Sequence, residues 1–187
     1  MTRIYDGNTP VDLQPLFTRE QIAAAVKRLA GEISADYAGK EVVLVVVLQG
    51  AFIFAADLAR ELSIPVVFDF VRLSSYEGME TTGKPFLRVD TSTSLQGRHV
   101  LIVEDIVDTG ISLSFLLQAL QARNPASLRT CALIDKMERR RVDIQVDYRG
   151  LLCTHGFLIG YGLDLNGNWR QLPAIYHAEY QGGRRTE

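Results

Sequence analysis

The sequence predicts an α/β fold with a mainly parallel central sheet flanked by helices. Three observations lead there: apolar β-branched runs without polar alternation, helical-period segments between them, and turn residues at the junctions. Glu41 to Leu48 reads Glu-Val-Val-Leu-Val-Val-Val-Leu, the pattern of a strand buried on both faces, as in a parallel sheet covered by helices. Pro65–Val71, His99–Val103 and Leu128–Ile134 are further apolar strands, and Phe157–Tyr161 is a shorter one. Strands that alternate with helices of this length give a parallel sheet.

The helices follow from period and caps. Thr18 and Gln21 form a capping-box pattern, after which Ile22, Val26, Leu29 and Ile33 recur at helical spacing. Ala51–Leu62 has Phe52, Ala55, Ala56 and Leu58 along one side, and Ser112–Arg123 has Leu113, Leu116, Leu117 and Leu120. Ser74–Gln96 breaks the pattern: it is polar, rich in Gly, Ser and Thr, and has no strong period. A stretch of that kind inside a compact domain is expected to be a lid or binding loop. The residues 181–187 read as a frayed tail.

The chain has 187 residues, 47% of them hydrophobic and 22% charged, which suits one soluble globular domain. Its net charge of −2 offers no global field for nucleic acid or an anionic membrane, and neither is expected as a partner. No N-terminal apolar segment resembles a signal peptide, and no run approaches about 18 apolar residues. Cys131 and Cys153 lie in apolar runs without zinc or redox spacing, so they read as small buried hydrophobes in a reducing, cytoplasmic compartment.

The chemistry concentrates in Val100-Leu101-Ile102-Val103-Glu104-Asp105-Ile106-Val107-Asp108-Thr109-Gly110-Ile111-Ser112. A buried strand delivers two adjacent carboxylates, and a short loop then leads into a helix. Ligands of open α/β sheets bind at the carboxyl ends of strands. The amides at a helix start are unpaired and lie at the positive end of its dipole, which suits a phosphate. Gly110 lets backbone close on that phosphate, and Thr109 and Ser112 can donate hydroxyls. Glu104 and Asp105 would repel phosphate; they can accept from ribose hydroxyls or hold hydrated Mg²⁺. A diol beside a phosphate turn describes a ribose 5-phosphate.

This stretch resembles the phosphoribosyl-pyrophosphate signature of type I phosphoribosyltransferases, in its hypoxanthine-guanine branch, and the likeness runs from about Val42 to Arg170. The resemblance implies a core of about 18–150, a small hood from 1–17 and 151–180, and a mobile flap loop of about 74–96. It implies that Glu104 and Asp105 meet the ribose hydroxyls and that the turn from Asp108 through Thr109, Gly110, Ile111 and Ser112 binds the 5′-phosphate. Asp108 would lie near purine N7 as general base or acid. Leu48-Gln49-Gly50-Ala51 is similar to the pyrophosphate loop, known in the family for a non-proline cis peptide. The family usually has Lys where this chain has Gln49, so backbone contacts are expected there.

Ser75 and Tyr76 match the pair that closes over the site, and Lys136 the lysine that binds the purine 6-oxo group. In Phe157-Leu158-Ile159-Gly160-Tyr161-Gly162-Leu163-Asp164, Phe157 would stack on the base and Leu158 would read its edge through backbone groups. Asp164 would contact the Mg²⁺ hydration shell, with Glu104 and Asp105 as the other metal-facing acids, and Arg170 would meet pyrophosphate. The implied reaction is Mg²⁺-dependent phosphoribosyl transfer to a 6-oxopurine by a homodimer or homotetramer.

The histidines His99, His155 and His177 have no ligand spacing. Glu138-Arg139-Arg140-Arg141 reads as a solvated face or a subunit contact, and Trp169 as a packing or interface aromatic. Val107-Asp108-Thr109-Gly110 also fits an aspartic-protease triplet, but such enzymes are all-β and the helical pattern from Ser112 argues against one. Two alternatives share the fold: transfer to another base such as xanthine or uracil, and a phosphoribosyl-pyrophosphate-sensing regulator that binds nucleic acid, which would need a basic face.

Overall fold

The computed structural model describes residues 2–75 and 85–180. Strands β1 (Thr2–Asp6) and β2 (Thr9–Phe17) precede α1 (Arg19–Asp36). The capping box forms: Thr18 Oγ1 accepts from the Gln21 amide at 3.3 Å, and Gln21 Oε1 from the Thr18 amide at 2.8 Å. Helix α1 buries Ile22, Ala25, Val26, Leu29, Ala30 and Ile33. Then come β3 (Val42–Leu48), α2 (Phe52–Glu61), β4 (Val66–Ser75), β5 (Pro85–Val89), β6 (His99–Val107), α3 (Ile111–Gln121) and β7 (Ser127–Lys136). Strands β8 (Tyr148–Cys153), β9 (Leu158–Ile159) and β10 (Ile175–Tyr180) complete the chain.

The central sheet has six strands in the order β5-β4-β3-β6-β7-β8. All pair in parallel except β5, which returns antiparallel on β4. Alternate side chains of β3 feed two cores, as a strand buried on both faces must. Leu44 and Val46 pack with α1 and α2, while Val43, Val45 and Val47 pack with Leu113, Leu116 and Leu120 of α3. A second, antiparallel sheet, β1-β2-β10-β9, closes over its own cluster of Ile4, Val11, Leu13, Ile159, Leu165 and Ala178.

Several expectations change. Strand β6 does not stop at Val103: Glu104, Ile106 and Val107 go on pairing with Ala132, Ile134 and Asp135, because β7 itself runs on to Lys136. The acid pair therefore sits within a strand. Ser74–Gln96 is not wholly irregular, since β4 runs into its first two residues and β5 crosses its middle at Pro85–Val89. The return from β5 is tied down by the buried Asp69 carboxylate, which accepts from the amides of Ser92 at 3.2 Å and Thr93 at 2.7 Å. Tyr76 and the rest of residues 76–84 of the expected lid, like the 181–187 tail, lie outside the described residues. Only Leu158 and Ile159 of the Phe157–Tyr161 run form strand, because Gly160 and Tyr161 turn to positive φ.

Candidate active site

The connections α2 and α3 leave the sheet on opposite faces, one from β3 and the other from β6. The space between the carboxyl ends of these neighbours is a topological switch point, where open α/β sheets bind ligands. Pairing of β3 with β6 ends at Val46–Val103, so the next residues of β6, Glu104 and Asp105, face the opening. A cavity of about 170 Å³ lies there, lined by Glu104 to Gly110, Ser112 and Leu113. A second depression, along Leu117, Gln118, Gln121, Ala122 and Leu128, carries no charged side chain.

The walls interlock at backbone level. The Leu48–Gln49 peptide is cis. A Cβ on Gly50 would stand 1.6 Å from Oδ2 of Asp105, and one on Gly162 would stand 2.1 Å from the Gly50 carbonyl oxygen. The loop after β3, the acids of β6 and the segment after β9 are thus in contact through glycine. Arg170 extends the chain, donating to the Gly162 carbonyl at 2.6 Å and pairing with Asp164 at 2.7 Å. Burial pushes the Glu104 carboxyl well above the usual carboxylate range, and the neighbouring Asp105 charge adds to it. Burial also raises Asp105, against hydrogen bonds and the pull of Arg170.

Beyond the acids the chain turns through Asp108 and Thr109 into α3. Gly110 caps the helix at φ 81°, and a Cβ there would lie 3.0 Å from the Val142 carbonyl. Only glycine combines that dihedral with that contact cheaply. The Thr109 carbonyl accepts from the amides of Arg141 at 2.9 Å and Val142 at 3.1 Å. The turn is therefore anchored from behind, while the first amides of α3, including Ile111 and Ser112, have no intrahelical carbonyl to bond.

Lys136 is buried, its Nζ 3.8 Å from Oδ2 of Asp108 and 3.4 Å from Oε2 of Glu138. The Glu138 carboxylate also accepts from the Gly156 amide at 3.1 Å, which links the lysine to the loop carrying Phe157. Phe157 is 46% exposed, an open ring beside the buried Leu158. Oδ1 of Asp108 is buried and has no hydrogen-bond partner among the described residues.

The structure thus joins Gly50, Asp105, Gly162, Asp164 and Arg170 in one run of contacts, and Asp108, Lys136, Glu138 and Gly156 in another, with Glu104, Asp105 and the turn from Asp108 lining the cavity. One sequence reading is corrected. The basic run is not uniformly solvated: Arg139 and Arg141 are exposed, but the Arg140 side chain is only 13% exposed, its guanidinium turned under the site and paired with Asp135. Its neighbours hid it, because three consecutive arginines give no sign of which one points inward. Glu138 was likewise grouped with a solvated face, and only the fold relates it to Lys136.

A two-core parallel sheet with adjacent acids and a glycine-capped turn at its switch point has the architecture by which α/β proteins hold ligands at strand ends. Residues 15–166 match the phosphoribosyl transferase domain family, and the chain belongs to it. It is 39% identical over 161 residues to the hypoxanthine-guanine-xanthine phosphoribosyltransferase of Tritrichomonas foetus, covering 86% of this chain and 88% of that protein. Identity to the hypoxanthine-guanine phosphoribosyltransferase of Leishmania donovani is 42% over 178 residues, 90% of this chain and 84% of that one. The crystal structure of a hypoxanthine-guanine phosphoribosyltransferase from Bacillus anthracis superposes with TM-score 0.84 at 39% identity, over 90% of this chain and 99% of that one.

Proposed function

We propose that the chain salvages purines, transferring the 5-phosphoribosyl group of phosphoribosyl pyrophosphate to N9 of hypoxanthine, guanine or both. The products are IMP or GMP and pyrophosphate. One observation carries the assignment of base: Oδ1 of Asp108, buried and without a hydrogen-bond partner among the described residues, lies on the same carboxylate whose Oδ2 is 3.8 Å from Lys136 Nζ. Oxygen 6 and N7–H of a 6-oxopurine are neighbours on one edge, an acceptor beside a donor. A buried donor beside a buried acceptor is its complement.

In this reading Glu104 and Asp105 accept the ribose hydroxyls, and the 108–112 turn holds the 5′-phosphate with backbone amides and the hydroxyls of Thr109 and Ser112. The backbone at Gln49 and Gly50, with Arg170, holds the pyrophosphate. Phe157 stacks on the base and Leu158 meets its edge. As the C1′–O bond breaks, its electron pair leaves with pyrophosphate, and N9 bonds to C1′. The N7 proton passes to Asp108, a contribution of roughly 10²–10⁴-fold for general base catalysis. Water must be kept from the activated ribose, and Ser75 and Tyr76 belong to the segment proposed to close over it.

The residues present suit Mg²⁺. No group of three or more His, Cys, Asp or Glu among the described residues forms a metal cage, and Mg²⁺ is ordinarily held by one or two carboxylates plus substrate oxygens and water. Glu104, Asp105 and Asp164 would supply those carboxylates, and the two raised acids would gain most from a cation. When bound, the ion would neutralise charge on pyrophosphate.

We further propose a cytoplasmic homodimer or homotetramer. The buried, unpaired Cys131 and Cys153 support a reducing compartment. The exposed, stacked rings of Phe68 and Phe70, 6.1 Å apart, would supply an apolar patch for self-association. Incubation with phosphoribosyl pyrophosphate, Mg²⁺ and each of hypoxanthine, guanine, xanthine, adenine and uracil tests the reading. Nucleotide should form from hypoxanthine or guanine; turnover of uracil or of no base would refute it.

A further inference from the structure

We propose that Arg140 is a positioning residue for this reaction, holding the carboxylate of Asp108 and the ammonium of Lys136 at a fixed separation and register; the inference rests on the function proposed above. The guanidinium lies behind the site and reaches the ends of both strands that carry these groups. Its Nε donates to the Asp108 carbonyl at 3.0 Å, and its Nη2 to the carbonyls of Val107 at 3.1 Å and Lys136 at 3.2 Å. Nη1 donates to the Ile144 carbonyl at 3.4 Å, and Nη2 also pairs with the Asp135 carboxylate. One planar group thus touches backbone on each side of the β6–β7 junction, at the two residues where donor and acceptor meet the base.

The position explains why an arginine is needed. Strand pairing of β6 with β7 ends at Val107–Asp135, so Asp108 and Lys136 lie one residue past the last rung. Past that rung the Asp108 carbonyl has no β6–β7 ladder to orient it, and Lys136 pairs on its other side with Cys153 of β8. A guanidinium carries five N–H donors in a rigid fork, whereas a lysine ammonium is a point charge on a flexible stem. The Asp135 side chain, 5% exposed, offsets the buried cation. The same segment braces the phosphate turn, through the Arg141 and Val142 amides on the Thr109 carbonyl and the Arg140 Cδ packed 3.3 Å from a Cβ position on Gly110. Arg140 acts through these residues and not on the substrate.

The experiment compares the native protein with Arg140→Lys and Arg140→Ala. Readouts are kcat and KM for hypoxanthine and for phosphoribosyl pyrophosphate, activity on adenine, Tm, and rescue of Arg140→Ala by added guanidinium at millimolar concentration. A misplacement of about 1 Å at a reacting group can cost roughly 10²-fold. We expect Arg140→Lys to lose about that factor in kcat/KM for hypoxanthine, to keep KM for phosphoribosyl pyrophosphate within roughly threefold, and to reject adenine less sharply. Guanidinium should restore part of the Arg140→Ala rate without raising its Tm. Native-like kcat/KM in Arg140→Lys would overturn the proposal. So would losses in both substrates that merely track the fall in Tm, since that describes a folding role. Failure of the native protein to form nucleotide would overturn the functional reading itself, and is distinguished by needing no variant.

Discussion

Nζ of Lys136 lies 3.8 Å from Oδ2 of Asp108 across the ends of two adjacent parallel strands, while Oδ1 of the same aspartate has no hydrogen-bond partner among the described residues. The pairing leaves one oxygen held and the other available. In the proposed reaction it would also separate two roles that a single substitution can tell apart, one in proton transfer and one in recognition of the base.

Asp108→Asn should lower kcat by roughly 10²–10⁴-fold, the usual contribution of a positioned general base. Phosphoribosyl pyrophosphate affinity should change little, because the amides of the 108–112 turn do not depend on that side chain's charge. Single-turnover kinetics with a parallel binding titration checks this. Equal loss in both would make Asp108 a binding residue only.

Gly50→Ala should raise KM for phosphoribosyl pyrophosphate by at least about tenfold, the equivalent of ~1.4 kcal/mol. The new methyl would stand 1.6 Å from Oδ2 of Asp105, so the acid or the loop must move. Because the clash lies in the opening and not in either core, Tm should fall less than affinity does. Thermal denaturation beside steady-state kinetics decides; a large fall in Tm with unchanged KM would refute the assignment of this loop.

The central sheet was legible because β3, β4, β6 and β7 are continuous apolar runs, a pattern imposed by burial on both faces. The strands β1, β2, β8 and β10 were not, for a physical reason. Thr-Pro-Val-Asp-Leu-Gln-Pro-Leu-Phe in β2 buries only Val11 and Leu13 fully, and strands with one wet face and two prolines give little apolar signal. In the site, Glu104, Asp105 and the turn could be argued from residue chemistry alone. Lys136, Phe157 and Asp164 needed the family resemblance, since a lysine after a strand carries no local mark of burial. Arg140 was missed by both routes, because its partners are mainly backbone carbonyls brought together only by the fold.

Glu104→Gln should stabilise the unliganded protein while weakening phosphoribosyl pyrophosphate binding. Burial, and then Asp105, raise the Glu104 carboxyl above its ordinary value. The stability such a group contributes is present below the unfolded pKa, about 4.3, and is lost as pH rises through the folded value. Above the unfolded value the native protein must either keep a proton that the unfolded chain releases or hold a buried charge, a cost that glutamine lacks. Tm of the variant should therefore exceed the native Tm at pH 7, by about 2–4 °C for each kcal/mol recovered in a chain of this size. The difference should shrink toward pH 4 and reverse sign for the ligand-bound forms. A lower Tm for unliganded Glu104→Gln at pH 7 would contradict the electrostatic account.

In the function proposed above, Lys136 would decide which base is accepted. Its ammonium is a donor with no acceptor capacity, and adenine presents an amino donor where hypoxanthine and guanine present oxygen 6. Two donors facing each other in a closed pocket leave both unsatisfied, at a cost of roughly 1–3 kcal/mol or more. Sites built to hydrogen-bond their substrate discriminate by orders of magnitude for this reason. The native protein should therefore use hypoxanthine or guanine and strongly reject adenine. In Lys136→Ala the oxopurine kcat/KM should fall and the gap to adenine should narrow, although Asp108 and Glu138, each within 4 Å of Nζ at 3.8 and 3.4 Å, lose a counter-charge and Tm should fall as well. Glu138→Gln provides the internal control: it keeps the ammonium but removes one carboxylate competing for it, so adenine should still be rejected. The measurement is kcat/KM for adenine, hypoxanthine and guanine in all three proteins. Comparable native activity on adenine would remove Lys136 from the base site and reopen the choice of substrate.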